Sequence, residues 1–278
     1  MALSPQDLAH LAALVKAACG IVVPQDRGTA IESRLGPVAR RENFPSVAAL
    51  IERIIAEPDQ ALVRAVVDAL RVSETQFFRD RAPFDQFRTE VLPVFVAQRP
   101  DARVRVWSAG CSTGQEPYSL AIAGEEAREF MPQLQLEIIA TDVSDRCLEK
   151  ARSGLYTQFE VQRGLPIRML VKHFEKIDDF WRASAQLRAA VRWGRFNLMH
   201  EPTKLGVFDV IFCRNVLTQF DVPTRAATLE RLNMALAPDG LLFLGGDETI
   251  HDLTEAFKPV PGRRGLYSKA AGHIRRVA

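Results

Sequence analysis

The stretch Arg103–Ile122, RVRVWSAGCSTGQEPYSLAI, carries the clearest fold signal in this chain. Its first residues alternate arginine with valine, the period-two pattern of a β-strand. Gly110 and Gly114 then open a loop of small residues, and Pro117 suits the first turn of a following helix, where no amide hydrogen is needed. A strand, a glycine loop and a helix N-terminus in this order present unpaired backbone N–H groups, which favour an anionic ligand group.

The spacing of these glycines does not identify the ligand by itself. Gly110-x-x-x-Gly114 matches neither the G-x-G-x-x-G of dinucleotide sites nor a loop that ends in Gly-Lys-Ser/Thr, and an ordinary strand-to-helix connection is the alternative. The next apolar run, Leu134–Ala140, ends in Thr141-Asp142. An acidic residue at a strand tip, outside the core, can accept both ribose hydroxyls, although it can also cap a helix. Loop and carboxylate together favour a nucleoside ligand.

The composition is that of an ordinary globular chain, with 47% hydrophobic and 25% charged residues. Its length of 278 residues suggests about two domains. A net charge of +2 argues against a nucleic-acid partner. Apolar runs are shorter than the ~20 residues of a membrane span, and the first residues lack the basic region of a signal peptide. We therefore expect a cytoplasmic protein without membrane insertion.

The four cysteines are scattered along the chain and form no C-x-x-C pair. Zinc sites and disulfide frameworks are recognised in a sequence by close, regular cysteine spacing. The sequence therefore predicts neither a metal site nor a disulfide framework, which agrees with a reducing cytoplasm.

Residues 1–72 have the patterns of helices only, and we interpret them as an N-terminal helical domain. Start and stop signals predict helices from Ser4 to Gly20, from Gly28 to Arg41, from Ser46 to Ile55 and from Pro58-Asp59 to Leu70. Gly36-Pro37 should kink or split the second of these helices. Basic residues cluster along that second segment, at Arg27, Arg34, Arg40 and Arg41. On charge alone they indicate a solvated helix face.

From residue 103 onward, strand and helix patterns alternate, which indicates a mostly parallel sheet with helices on both faces. We assign residues 73–278 to this α/β domain. Residues 172–181 and 187–193 are interpreted as a small antiparallel β insertion near 170–195. Val207–Cys213 suits a central strand because it is largely apolar. Pro238-Asp239-Gly240 indicates a turn before a further strand.

Six ordered stretches between residues 70 and 246 carry a resemblance to a known family. They are SETQFFRD, VWSAGCSTGQEPYSLAI, ATDVSDRCLEKARSGLY, FNL, FDVIFCRNV and LAPDGLLFLGG. In this order they resemble the motifs of the chemotaxis receptor methyltransferases, the CheR family. The resemblance implies a helical domain followed by a Rossmann-like S-adenosylmethionine (AdoMet)-dependent methyltransferase domain with an inserted β-subdomain. It also implies methyl transfer to glutamate side chains of bacterial chemoreceptors, which yields methyl esters and S-adenosyl-L-homocysteine.

The resemblance also implies the cofactor contacts. The matching motif positions are Ser73, Thr75, Arg79, Glu116, Asp142, Asn197, Leu198, Arg214 and Asn215. Glu116 suits the cationic amino group of AdoMet, and Arg79 suits its carboxylate in a charge-assisted pair. Asn197 offers both a donor and an acceptor to adenine. Asn215 follows a central strand, at the end where ligands of open α/β sheets bind.

Two positions depart from the family's motifs. Ser73 stands where the family commonly has Asn, and its hydroxyl keeps a hydrogen-bonding group there. Gln219, in RNVLTQF, stands where the family has a Tyr near the reacting methyl. Arg79 and Gln219 are the candidate catalytic residues. A glutamate carboxylate is already ionised at neutral pH, so the transfer requires alignment rather than a general base.

The implied partners are the cytoplasmic helices of chemoreceptors, which expose glutamates, and Arg34, Arg40 and Arg41 are the candidate contacts. Two other functions stay open on the sequence. A nucleotide-dependent oxidoreductase would use a similar sheet, although the G-x-G-x-x-G motif is missing. A non-catalytic homologue that binds AdoMet and a receptor or regulator is favoured by Gln219 in place of the tyrosine.

Overall fold

The computed structural model describes residues 3–71 and 74–270, and the described chain forms two compact units. The helical unit comprises Met1–Ser73 together with Gln219–Thr224, and the larger unit comprises Glu74–Thr218 and Arg225–Ala278. Ser73, a candidate cofactor contact, lies outside the described residues. No helix in the described part of the chain combines the length and the apolar character that a membrane span needs.

The caps of the helices explain where the elements of the helical unit begin. These elements are α1 Pro5–Cys19, α2 Gly28–Arg41, α3 Val47–Ala56 and α4 Gln60–Leu70. The side chains of Ser4, Ser46 and Asp59 accept hydrogen bonds from backbone N–H groups in the first turns of α1, α3 and α4, which satisfies donors that a helix leaves unpaired. Gly20 ends α1 in the left-handed conformation, with φ 79°. The start and stop signals of the sequence are thus confirmed.

Helix α2 runs through Gly36 and Pro37 without interruption, so of the predicted kink or split the structure excludes the split. Pro37 cannot donate the hydrogen bond that its position would make to the carbonyl of Ser33. The side chains of Leu35 and Val38, on either side, are nevertheless buried. Packing of this apolar face therefore outweighs the unfavourable local propensity.

Replacing Pro37 with Ala should stabilise the protein, because the residue is exposed and Ala restores a helix hydrogen bond. In a helix interior Pro is about 3 kcal/mol less favourable than Ala, and Gly about 1 kcal/mol less favourable. In urea denaturation followed by circular dichroism, Pro37→Ala should raise the free energy of unfolding more than the control Gly36→Ala. The Cβ added by that control would lie 3.4 Å from Arg40 Nη1, an ordinary contact. A less stable Pro37→Ala variant would contradict the expectation.

A second part of the chain, Gln219–Thr224, belongs to the helical unit. The backbone N–H of Val22 donates to the carbonyl of Gln219 at 2.8 Å. Lys16 Nζ, on α1, lies 2.5 Å from Asp221 Oδ2. These contacts attach the segment to α1 and to the loop that follows it, so its position follows that of the helical unit.

The larger unit is built on a mostly parallel sheet. The strands are β1 Arg103–Ala109, β2 Gln135–Asp142, β3 Leu155–Thr157, β4 Phe174–Ile177, β5 Phe180–Ala183, β6 Val191–Arg195, β7 Phe208–Cys213, β8 Leu236–Leu244, β9 Phe257–Pro259 and β10 Leu266–Lys269. Among the described residues, seven strands form one sheet in the order β6-β2-β1-β7-β8-β10-β9. The strands from β6 to β8 are parallel, and β10 pairs antiparallel with β8 and β9. The predicted α/β fold is confirmed.

Aromatic rings join this sheet to the helices that precede it. The remaining helices are α5 Ala82–Gln86, α6 Leu92–Gln98, α7 Gln115–Arg128, α8 Asp145–Ser153, α9 Gln158–Gln162, α10 Ile167–His173, α11 Ala185–Ala189 and α12 Val222–Ala235, with 3₁₀ turns at Gln25–Arg27, Thr203–Leu205 and Leu217–Gln219. A π-helical turn, Phe87–Val91, connects α5 to α6.

The ring of Phe212 stacks on that of Phe243 with centroids 4.3 Å apart, and Phe87 meets Phe212 edge-on at 5.5 Å. Burying such a ring contributes roughly 1.5–3 kcal/mol.

A separate antiparallel sheet, in the order β3-β5-β4, confirms the predicted β insertion. The assignment of residues 187–193 to that insertion was wrong. Strand β6 joins the main sheet beside β2, with Val191 opposite Ile138. A short apolar run indicates a strand without indicating its neighbour, because pairing depends on residues far away in the chain.

The turn predicted at Pro238-Asp239-Gly240 was also wrong, because these residues lie inside β8. Phe208 of β7 pairs with Leu236, whereas Val210 pairs with Leu241, so β8 carries extra residues over this interval. A β-bulge of this kind tolerates glycine and proline, since the inserted residues leave the hydrogen-bonded ladder.

Candidate active site

The glycine loop after β1 is packed so closely that no side chain fits at Gly110 or Gly114. Gly110 and Gly114 adopt left-handed backbone conformations, with φ 78° and 96°. The N–H of Gly110 donates to the carbonyl of Thr141 at 2.8 Å, which ties the loop to the end of β2. A Cβ on Gly110 would lie 2.6 Å from Val216 Cγ2, and one on Gly114 would lie 2.9 Å from Ala151 Cβ. Glycine is therefore required at both positions.

Asp142 lies at the end of β2 and fixes the loop from the other side. Its Oδ2 accepts from the backbone N–H of Ser112 at 2.8 Å, and its Oδ1 accepts from that of Ser144 at 2.9 Å. The strand-tip position is as predicted, but the expectation that the residue lies outside the core was wrong, since it is only 2% exposed. The carboxylate is thus a structural part of the loop as well as a candidate ligand of ribose.

Glu116, Arg214 and Asp80 form a cluster of charges beside the loop. Glu116, in the first turn of α7, accepts from Ser108 Oγ at 2.8 Å. The Arg214 side chain is 1% exposed, with its Nη2 at 2.5 Å from Asp80 Oδ2 and its Nη1 at 3.6 Å from Glu116 Oε2. Burial raises the pKa of Glu116, and the neighbouring guanidinium of Arg214 opposes that shift. These three side chains carry one more negative than positive charge, which suits a cationic ligand group.

Arg79 belongs to the motif SETQFFRD, which precedes α5 and has a strained backbone on both sides of Arg79. Phe78 and Asp80, on either side of Arg79, have φ values of 47° and 64°. The N–H of Phe78 donates to Ser119 Oγ on α7 at 2.9 Å. Arg79 is half-buried, and its Nη1 donates to the carbonyl of Glu74 at 3.0 Å. Left-handed conformations of such residues persist only where the surroundings hold them, and they cluster at functional sites.

The FNL motif lies next to Asp142. The N–H of Phe196, after β6, donates to the carbonyl of Asp142 at 3.0 Å. The following Asn197 accepts from the N–H of Met199 at 3.1 Å through its Oδ1, and Leu198 is buried. The geometry thus brings the adenine and ribose candidates to adjoining strand ends, as ligand binding at the carboxyl edge of an open sheet requires.

Two further candidate residues, Thr75 and Gln219, lie outside the strand ends described above. Thr75 is half-buried and lies outside any helix or strand of the larger unit. Gln219 lies in the helical unit, where it lines a cavity of about 180 Å³. Its Oε1 is buried and has no hydrogen-bond partner among the described residues. Its catalytic role therefore stays a prediction.

Sequence reasoning missed supporting residues that act from a distance along the chain. The Tyr156 hydroxyl, on β3 of the inserted sheet, donates to the carbonyl of Thr113 in the glycine loop at 2.7 Å. Glu248 is 6% exposed and accepts from the backbone N–H groups of Asn215 and Gly245, each at 2.7 Å. An acidic residue after a buried strand, in GGDET, was the signal available for Glu248.

Comparison with protein families identifies both units. A model described as CheR methyltransferase, SAM binding domain, matches residues 73–266, and one described as CheR methyltransferase, all-alpha domain, matches residues 6–70. The chain belongs to the CheR methyltransferase family. AdoMet is therefore the cofactor of this CheR protein, and the oxidoreductase interpretation has no support. Within the described residues, no group of three or more His, Cys, Asp and Glu is arranged to hold a metal ion.

Curated relatives match the CheR chain over nearly its whole length. It is 35% identical to chemotaxis protein methyltransferase Cher2 of Pseudomonas putida, over 95% of this chain and 98% of that protein. It is 35% identical to chemotaxis protein methyltransferase 1 of Pseudomonas aeruginosa, over 91% and 93%. The corresponding identity to chemotaxis protein methyltransferase 1 of Vibrio cholerae is 33%, over 96% and 98%.

Asp142→Asn should weaken AdoMet binding while the protein stays folded. The loss of a charge-assisted hydrogen bond, about 1.5–3 kcal/mol, corresponds to a roughly 10- to 150-fold higher Kd. Isothermal titration calorimetry measures this, with Asp145→Asn, an exposed acid three positions further on, as the control. Asp142→Ala should lower the unfolding temperature more than Asp142→Asn does, because Ala leaves the N–H groups of both Ser112 and Ser144 unpaired, whereas Asn keeps one acceptor oxygen. An unchanged Kd for Asp142→Asn would mean that the ribose binds elsewhere.

Proposed function

We propose that the protein methylates glutamate side chains on the cytoplasmic helices of chemoreceptors and acts in the cytoplasm. The observation that carries this proposal is that both units match the CheR family, over residues 6–70 and 73–266. The products are receptor methyl esters and S-adenosylhomocysteine. The relatives are named as chemotaxis protein methyltransferases, and the receptor glutamates follow from the family.

The chemistry explains why the site needs no general base. A glutamate carboxylate, with an ordinary pKa of about 4.3, is already ionised at neutral pH. AdoMet supplies an activated methyl on its sulfonium. The remaining requirements are in-line alignment of the two reactants and exclusion of water. A site built of buried hydrogen bonds and ion pairs, such as that around Arg214, suits this kind of catalysis.

We assign the residues of the cofactor site by charge and position. Glu116 binds the amino group of AdoMet, because a cation there offsets the burial that raises the pKa of this carboxyl. Asp142 binds the ribose hydroxyls, and Asn197 with Leu198 binds adenine. Arg79 binds the carboxylate of AdoMet. The remaining candidates, Ser73, Thr75, Arg214 and Asn215, complete the set.

Arg79 and Gln219 are proposed to align the reacting groups. The guanidinium of Arg79 carries a fixed positive charge that attracts the incoming carboxylate. Gln219 has a buried amide oxygen without a partner among the described residues, and it lines the cavity of the helical unit together with Arg34.

A methyl-transfer assay tests the proposed function. Purified protein is incubated with methyl-labelled AdoMet and membranes that contain a chemoreceptor, with receptor-free membranes as the control. Label should appear in the receptor and be released as methanol by mild base, since a carboxyl methyl ester is base-labile. Normal AdoMet binding without label in any of a panel of receptors would favour the non-catalytic homologue instead.

Helix α2 is proposed as the surface that meets the receptor. Arg34, Arg40 and Arg41 are exposed on it. Arg34 Nη1 donates to the carbonyl of Leu70 at 3.0 Å, and Arg41 Nε donates to Glu42 at 2.8 Å. The carboxylate of Glu42 partly offsets the charge of Arg41, whereas Arg34 donates to a neutral carbonyl. The exposed guanidinium groups attract an acidic helix over a Debye length of about 8 Å at 0.15 M salt.

Charge reversal of Arg34, Arg40 and Arg41 to Glu should slow receptor methylation at low salt and leave the AdoMet Kd unchanged. The matched control replaces the same residues with Lys, which keeps the charge and should keep most of the rate. Higher salt should slow the unmodified protein towards the rate of the reversed variant, because screening weakens the same attraction. Equal initial rates for the reversed and unmodified proteins at low salt would return these arginines to a solvated helix face.

A further inference from the structure

Glu248 is a buried carboxylate for which the proposed chemistry has no direct use. It follows β8 and is 6% exposed. Its Oε2 accepts from the backbone N–H groups of Asn215 and Gly245 at 2.7 Å each, and its Oε1 accepts from that of Thr218 at 3.3 Å. A carboxylate that accepts several backbone N–H groups is a charge-assisted anchor, and such bonds are roughly twice as strong as neutral ones.

The anchor acts where the backbone is strained. Asn215 has φ 59°, a left-handed conformation that costs a non-glycine residue energy, although Asn tolerates it better than most. Glu248 binds the N–H of that same residue, which fixes the peptide plane between Arg214 and Asn215. The conformation that aims these two side chains is therefore held by a residue 33 positions later in the chain.

The fit around this contact is close. A Cβ on Gly245 would lie 2.7 Å from Asn215 Nδ2 and 2.8 Å from Glu248 Oε2. Both distances are well below normal contact, so only glycine leaves the carboxylate and the amide in place. The same carboxylate thus binds the end of β8 and the start of the loop after β7, and it joins the ends of these two neighbouring strands.

We propose that Glu248 is a positioning residue for the AdoMet site, which it serves by holding the backbone of Asn215 and thereby orienting Arg214 and Asn215. The role rests on the proposed cofactor contacts of these two residues. It is distinct from a purely structural role, because it predicts a loss of affinity for AdoMet that is larger than any loss of fold. Glu248 acts through the loop and does not itself touch the reacting atoms.

Glu248→Gln tests the proposal, because the amide keeps the size but offers one acceptor oxygen to donors that faced two. AdoMet affinity, measured by isothermal titration calorimetry at a temperature where the variant is folded, should fall about 10-fold or more. The control is Asp247→Asn, which removes the same charge from the adjacent, exposed residue and should change the Kd less than twofold. Calorimetry of AdoMet needs no receptor, so a failure of receptor methylation would leave this measurement valid.

A second variant, at Gly245, disturbs the contact between Glu248 and Asn215 without changing either residue. Gly245→Ala keeps every charge and displaces the flexible ends of Asn215 and Glu248, so it should fold and lower AdoMet affinity to a similar extent. In a double-mutant cycle with Asn215→Gly, the effect of Glu248→Gln should shrink, because the two residues act as a unit. A folded Glu248→Gln or Gly245→Ala variant that binds AdoMet like the unmodified protein, or strictly additive effects in the cycle, would overturn the proposal.

Discussion

The guanidinium of Arg214 needs counter-charges from within the larger unit, because only 1% of its side chain is exposed. They come from Asp80 in the linker before α5 and from Glu116 in the first turn of α7. Glu116 is the buried partner and leaves the Arg214 charge without its interior counter-charge if removed, whereas Asp80 is 53% exposed and its ion pair is weakened by solvent. The linker, the helix and the end of β7 are therefore constrained to one arrangement, and the left-handed backbone at Asp80 is held within it.

The parts of this arrangement that could be predicted are those encoded by neighbouring residues. The strand, glycine loop and helix start of Arg103–Ile122 follow from period, turn chemistry and helix signals that lie side by side. Asp142 could be placed at a strand tip for the same reason, since the apolar run before it ends there. The N-caps of the helical unit are equally local. In each case the hydrogen-bond partner lies within a few residues or in the adjoining strand.

What could not be predicted depends on partners that are distant in the chain. Glu248 and Asn215 are 33 residues apart, and no local pattern connects them. Strand β6 has an ordinary strand pattern, but its place beside β2 is decided by the pairing of Val191 with Ile138. Burial has the same character, because a strand tip such as that at Asp142 becomes interior only when other segments cover it. Local propensity was likewise overridden at Pro37, where packing on both sides keeps the helix continuous.

The segment after β7 passes from the larger unit to the helical unit between Thr218 and Gln219. The N–H of Thr218 donates to Glu248 in the larger unit, whereas the carbonyl of the next residue, Gln219, accepts from Val22 in the helical unit. The anchors thus change from one unit to the other between consecutive residues. A methyl transfer that depends on alignment therefore suits an anchor such as Glu248, which holds the backbone N–H groups of Asn215 and Thr218 within the larger unit.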